Sequence, residues 1–178
     1  MSEALAPGAL VHLFDAAVRF TSESPDDAVV PPDQRDGEYL GSGDGVATGE
    51  RLRGRLRWSF YAGNCLYPQI RRGETVPDDV HLCTLNPGGY IESDDGARIA
   101  FDGRGYGLRS PERYRLSRTM AFHTDDPRYA WLNKVLGVMT GDFDEKTGQA
   151  DWRVFVPHDR RRSANAHRGH AAVAVDLS

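Results

Sequence analysis

The sequence predicts an all-β fold, a single antiparallel β-barrel with little helix. Three observations carry that prediction. Short runs alternate apolar and polar residues with a period of two, clusters of Gly, Pro, Asn and Asp separate them, and the pattern leaves room for at most one helix of ordinary length. Sequential hairpins of this kind suit a barrel or sandwich.

Taken in order, Ala9 to Phe20 (ALVHLFDAAVRF) reads as a strand, although its middle also admits a helix. Residues 21–49 turn polar through SESPDD, VVPPDQRDG and GSGDG, and read as a long loop carrying a short strand or two around Glu38 to Leu40. A structureless loop of that length is uncommon in a compact domain, so a functional or partly mobile segment is expected. RLRGRLRWSF is the clearest element. Leu52, Gly54, Leu56, Trp58 and Phe60 share one face while Arg51, Arg53, Arg55 and Arg57 share the other, the mark of a strand half in the core and half in water. A solvated sheet face accounts for these arginines better than a nucleic-acid stripe does, because acidic residues surround the strand.

Pro68 to Asp79 is a further charged loop. HLCTLNPGGYIES and ARIAFDGRGYGL then flank Asp95-Gly96, a short-range hairpin signal in which glycine supplies positive φ. In YRLSRTMAFHT, Leu116, Arg118, Met120 and Phe122 fall on one side. Asp125 to Pro127 makes a turn, Tyr129 to Gly141 (YAWLNKVLGVMTG) reads as the next strand, GDFDEKTGQ turns back, and DWRVFVP sets Trp152, Val154 and Val156 against Arg153 and Phe155. The expected organisation is one barrel domain over residues 1–157 and a tail over 158–178 with a basic first half and an apolar finish.

Composition narrows the function classes. With 178 residues, 39% of them hydrophobic and 27% charged, the chain suits one soluble domain with a sizeable core. A formal charge of -4 gives no general pull toward nucleic acid, so no nucleic-acid partner is expected. Glu3 and the lack of a basic cluster before an apolar run set the opening apart from a signal peptide, and no run approaches the ~20 apolar residues of a membrane span. A cytoplasmic protein without membrane contact is the expectation, with Cys65 and Cys83 either bridged or, the plainer reading in a reducing cytosol, two free thiols. No GxGxxG follows a strand and no GxxxxGK[ST] occurs, so no nucleotide cofactor is expected. Six scattered histidines, without HExxH or CxxC, give no zinc site, and the GxSxG elbow is missing.

GERLRGRLRW, GGYIESDDGARIAFDGRGYG and above all FHTDDPRYAWLNKVLGVMTG give the region from about Gly49 to Pro157 a specific character. In these pieces, about three-fifths of the chain, it resembles the bacterial and fungal DUF3237 family, also labelled UPF0311. The resemblance implies a small closed antiparallel barrel of lipocalin-like form, often a homodimer, with an activity long unassigned. The segment Phe60 to Asp79 and the tail after Pro157 depart from the family pattern by being longer.

Candidate site residues follow from strand phase. Lys134 is a poor core residue, which turns the face bearing Trp131, Asn133, Val135, Gly137 and Met139 inward. Asn133 then either offers its amide to a ligand carbonyl or hydroxyl, or ties the neighbouring strand or turn. Arg118, inward beside Phe122, is either half of a structural salt bridge or an anchor for an anionic ligand. Tyr106 and Tyr90 flank the hairpin and offer either a hydroxyl to an oxyanion or plain packing. Asp102 is a candidate acid or base, and His123 with Asp125 a candidate base and its orienter, against the alternative of solvent-exposed turn residues. Trp58, Trp131, Phe122 and Tyr90 would supply flat substrate-binding walls.

The function this points to is a cofactor-independent cyclase, isomerase or lyase acting on a small, partly apolar aromatic or polyketide-like carbonyl compound inside the barrel. A non-catalytic ligand-binding barrel, carrier or sensor, is the alternative, and a packed structural barrel without a pocket is a third.

Overall fold

Eight long antiparallel strands close into a barrel in the computed structural model, which describes residues 9–21, 28–29, 38–64, 81–109, 113–144 and 146–158. The strands are β1 (Leu10–Phe20), β2 (Ala28–Val29), β3 (Glu38–Thr48), β4 (Gly54–Asn64), β5 (His81–Ser93), β6 (Arg98–Arg109), β7 (Arg113–His123), β8 (Leu136–Asp144) and β9 (Gln149–Pro157). Each long strand from β3 to β9 pairs with its neighbour in sequence, β9 pairs with β1, and β1 closes the ring on β3. The two-residue β2 adds only to the start of β3. Closure satisfies the strand edges, so the expected homodimer rests on the family resemblance.

The inner face is where alternation put it. In β4, Leu56 is buried while Arg55 and Arg57 face out, as does Arg53 just before it, and Trp58 and Phe60 stay half-buried along the inner wall. β7 alternates as expected, with Leu116, Arg118, Met120 and Phe122 buried. Gly96 takes φ 87° in the β5–β6 hairpin, where its N–H donates to the Ser93 carbonyl. β1 is a strand throughout, and a register shift between His12 and Phe14 lets the consecutive Leu13 and Phe14 both be buried.

Two expectations are corrected. The polar segment 21–49 contains a full-length strand, β3, rather than a short one near Glu38. Its GSGDG composition reads as loop, yet Gly41 and Gly43 lie under aromatic rings. A Cβ on Gly41 would sit 2.4 Å from Phe20 Cζ and 2.6 Å from Phe60 Cε1, and one on Gly43 would sit 2.7 Å from the Trp58 indole. The second correction concerns YAWLNK, which is a one-turn 3-10 helix (Ala130–Lys134) rather than the start of a strand. Leu132 donates its N–H back to the Tyr129 carbonyl, and its side chain is fully buried. From Gly137 the expected phase holds, with Gly137 and Met139 inward.

The two ends of the barrel differ. At the end capped by the 3-10 turn, Leu13, Leu52, Ile91, Ile99, Phe122, Leu132, Val154 and Val156 are at most 1% exposed, a filled core. Toward the other end, rings on the inner wall are only half-buried. The loop Pro68–Asp79 and the tail from residue 159 lie outside the described residues. No helix among the described residues is long and apolar enough to cross a membrane.

Candidate functional site in the barrel interior

The end away from the 3-10 turn carries a continuous aromatic wall. Tyr114 of β7 meets Phe143 of β8 at 5.9 Å between ring centroids, Phe143 meets Phe20 of β1 at 6.4 Å, and Phe20 meets Phe60 and Trp58 of β4 at 5.4 and 5.9 Å. Trp58 reaches Trp152 of β9 at 5.7 Å, and Trp152 reaches Phe101 of β6 at 6.4 Å. Edge-to-face and tilted contacts of this kind hold rings in place. The side-chain-free positions of β3 let the wall lie close against the backbone.

Arg118 stands against this wall at mid-strand in β7, paired in register with Gly105 and Met139. It is only 8% exposed, and its guanidinium carbon lies 5.4 Å from the Trp152 ring. Gly105 is needed beside it, since a Cβ there would come within 2.8 Å of Arg118 Cγ. Among the described residues no carboxylate forms an ion pair with it, and its Nε meets no acceptor. Burial pushes its pKa down to about 10, offset only slightly by the Cys83 thiol beside it. It is therefore still a cation at neutral pH. Trp58 Nε1 and Trp152 Nε1 are likewise buried without an acceptor. Cys83, free and buried, donates its thiol to the Gly107 carbonyl at 3.4 Å, and burial pushes its pKa up to about 11.

Of the residues expected to form a site, Arg118 and Trp58 meet on this inner face. Phe122 is also inward, in the filled half. The rest lie elsewhere. Asn133, expected inside, is exposed, because the 3-10 turn replaces the strand whose phase pointed it inward. Its Oδ1 accepts from Thr124 N at 2.9 Å and its Nδ2 donates to Thr124 O at 2.8 Å, which is the turn-tying reading. Asp102 and His123 are cross-strand neighbours on the outer face, with Nε2 and Oδ2 3.7 Å apart and side chains 62% and 70% exposed. Asp125 is exposed as well, and no bond joins it to His123 among the described residues. Tyr106 is 56% exposed on the outside. Tyr90 lies under the Arg98 guanidinium at 4.0 Å, and Trp131 under that of Arg51 at 3.9 Å.

Strand phase alone missed Trp152, Phe20, Phe143 and Tyr114 as site residues. The alternation of DWRVFVP had already turned Trp152 inward. Its height beside Arg118 depends on the register of β9 with β8, which a single strand does not reveal.

A second cluster sits outside the filled end, in a hollow of about 200 Å³ lined by Glu50, Arg51, Leu52, Arg53, Asp94, Asp95 and Tyr129. Two of its polar groups, Asp95 and Tyr129, belong to a network with Arg128 and Asp126. Arg128 grips Asp126 through Nε at 3.0 Å and Nη2 at 2.6 Å and reaches Asp95 at 3.1 Å, while Tyr129 donates to Asp95 at 3.0 Å. The DPRYAWLN segment thus builds the cap of the barrel.

No protein-family model matches the sequence, and no curated protein matches it. Solved structures do. A β-barrel-like protein from Acinetobacter baumannii superposes with TM-score 0.65 at 18% identity over 88% of this chain and 100% of that one. A protein of unknown function from Clostridium acetobutylicum gives 0.59 at 15% over 84% and 99%, and an enzyme from Penicillium herquei gives 0.54 at 15% over 89% and 100%. These likenesses establish the barrel fold.

Proposed function

We propose that the barrel binds a small, partly apolar aromatic or polyketide-like carbonyl compound between its aromatic wall and Arg118, and that it promotes a cofactor-independent isomerisation, cyclisation or lyase step there. The observation that carries this reading is Arg118, more than nine-tenths buried and without a carboxylate partner among the described residues. A buried structural cation is ordinarily paired, since leaving it alone costs several kcal/mol, on the order of 3–5, in the folded protein. An unpaired one beside half-buried rings suits a ligand oxygen. A carbonyl that becomes an enolate or alkoxide gains most from it, because the charge develops next to a fixed cation in a water-poor site.

The family resemblance belongs to the same reading, as does the homodimer it implies, which sedimentation at micromolar concentration checks. A carrier without chemistry is favoured by one specific observation. Among the residues whose side chains are described, the inner face carries donors but no carboxylate or imidazole, and burial keeps Cys83 protonated at neutral pH. The test is incubation with a panel of aromatic and polyketide-like carbonyl compounds, followed by proton NMR of the compound and calorimetric titration of the protein. Binding with conversion, both lost in Arg118→Met, supports the enzyme. Binding with the compound unchanged supports the carrier, and no binding by any member overturns both.

A further inference from the structure

Resting on that reading, we infer that the ligand is held as an anion, its charged oxygens taken by a three-donor site made of Arg118, Trp58 Nε1 and Trp152 Nε1. The three side chains come from β7, β4 and β9, which are not all neighbours in the sheet, yet they pack in series. Trp152 lies 5.7 Å from Trp58 and 5.4 Å from the Arg118 guanidinium carbon. Each carries a buried N–H that meets no acceptor among the described residues, at Trp58 Nε1, Trp152 Nε1 and Arg118 Nε. Roughly nine in ten or more buried polar groups in folded proteins have a partner, so three orphans on side chains packed in series through Trp152 mark one shared function.

All three are donors, and an indole N–H and a guanidinium have no acceptor capacity. The group that completes them is an acceptor alone, which a carboxylate or a 1,3-dicarbonyl enolate is and an alcohol or amine is not. Charge gives the second half of the argument. A neutral carbonyl would satisfy a hydrogen bond but leave the guanidinium uncompensated in a low-dielectric interior, whereas a two-oxygen anion matches its planar fork and neutralises it. The ring of such a ligand continues the aromatic wall. Trp152, 2% exposed, is here a binding residue as well as a core residue.

The experiment uses an isosteric pair, 2-naphthoate and 2-naphthamide, titrated into the full chain by calorimetry at neutral pH. Benzoylacetone, titrated across its own ionisation, separates the enolate from the carboxylate as the preferred anion. The expected result is naphthoate at least tenfold tighter than naphthamide. Trp58→Phe and Trp152→Phe, which keep an aromatic ring but lose the donor, should each narrow that ratio several-fold, and Arg118→Met should abolish it. A purely structural role for either tryptophan would weaken both ligands alike and leave the ratio intact. Thermal melts identify a variant that has failed to fold, and Trp152→Phe and Trp58→Phe test the same ratio independently. Equal affinity of the pair for the unaltered protein, or a ratio unmoved in all three variants, overturns the anion site while leaving an aromatic-binding barrel in place. Failure of both members to bind overturns the inference together with the reading beneath it.

Discussion

Replacing Arg118 with methionine should make the protein more stable and useless for binding. Holding this guanidinium in the interior lowers its pKa well below the ordinary guanidinium range, to about 10, chiefly through lost hydration. At about 1.36 kcal/mol per pH unit, that is a penalty of roughly 3 kcal/mol in the folded state. Methionine removes the charge and fills most of the same space with apolar atoms. The substitution also forfeits the contact with Trp152 at 5.4 Å, worth about 1–2 kcal/mol in a desolvated setting. The net expectation is a gain of about 1–2 kcal/mol, in line with the 1–4 kcal/mol seen when buried ions give way to packed apolar residues. For a domain of this size that raises Tm by about 2–8 °C. The sign has a pH signature. The unfolded chain holds this proton more tightly than the folded one, so in the parent protein the penalty is full below pH 10 and relaxes as pH rises above about 10 toward the ordinary guanidinium range. Urea unfolding at pH 7 reads the effect directly, with a higher midpoint and unchanged slope. A loss of more than about 2 kcal/mol would refute the reasoning, because it would mean that the fold itself supplies Arg118 with an acceptor.

Three further outcomes are expected. Leu56→Ala, at a side chain with no exposure, should cost about 2–5 kcal/mol in urea unfolding, and a loss below ~1 kcal/mol would count against its place in the core. Asn133→Ala removes both ties to the Thr124 backbone and should lower stability by about 1–3 kcal/mol, from two hydrogen bonds, while leaving the affinity of any interior ligand unchanged; a selective loss of binding would restore Asn133 to the site. In acid, the cap over the filled end should loosen before the barrel does. The Ser93 hydroxyl, with Tyr129 and Arg128, holds Asp95 below 3.8, and Arg128 holds Asp126 below the same value. Their contribution is complete above 3.8 and fades as pH falls through the depressed folded values, so Trp131 fluorescence should stay flat from pH 7 to 5 and change only below about 4. A change centred near pH 6 would point to a histidine instead.

How much of this was legible before folding depends on the range of the forces involved. Strand identity and facing were largely readable, because alternation is a local consequence of a pleated backbone with one side in water. RLRGRLRWSF and YRLSRTMAFHT both kept the faces they announced, and Arg118 was inward from the start. Glycine misled where its reason was remote. Gly41 and Gly43 look like loop residues until the rings of Phe20, Phe60 and Trp58, on the strands paired to either side of β3, come to rest on them. Asn133 misled for the opposite reason, since a few turn hydrogen bonds around Asp126, Tyr129 and Thr124 outweighed a period-two pattern too short to insist on itself.

What the sequence by itself determined about this protein was an all-β chain with an apolar interior face and a cation on it. Only the tertiary structure decided which donors share a height along the barrel axis. Arg118, Trp58 and Trp152 are separated by tens of residues, and their meeting is set by cross-strand register and ring closure through β1 and β3. Register is a property of pairs of strands, fixed by the whole buried face at once, and a one-residue slip in any of them would turn a donor out to solvent.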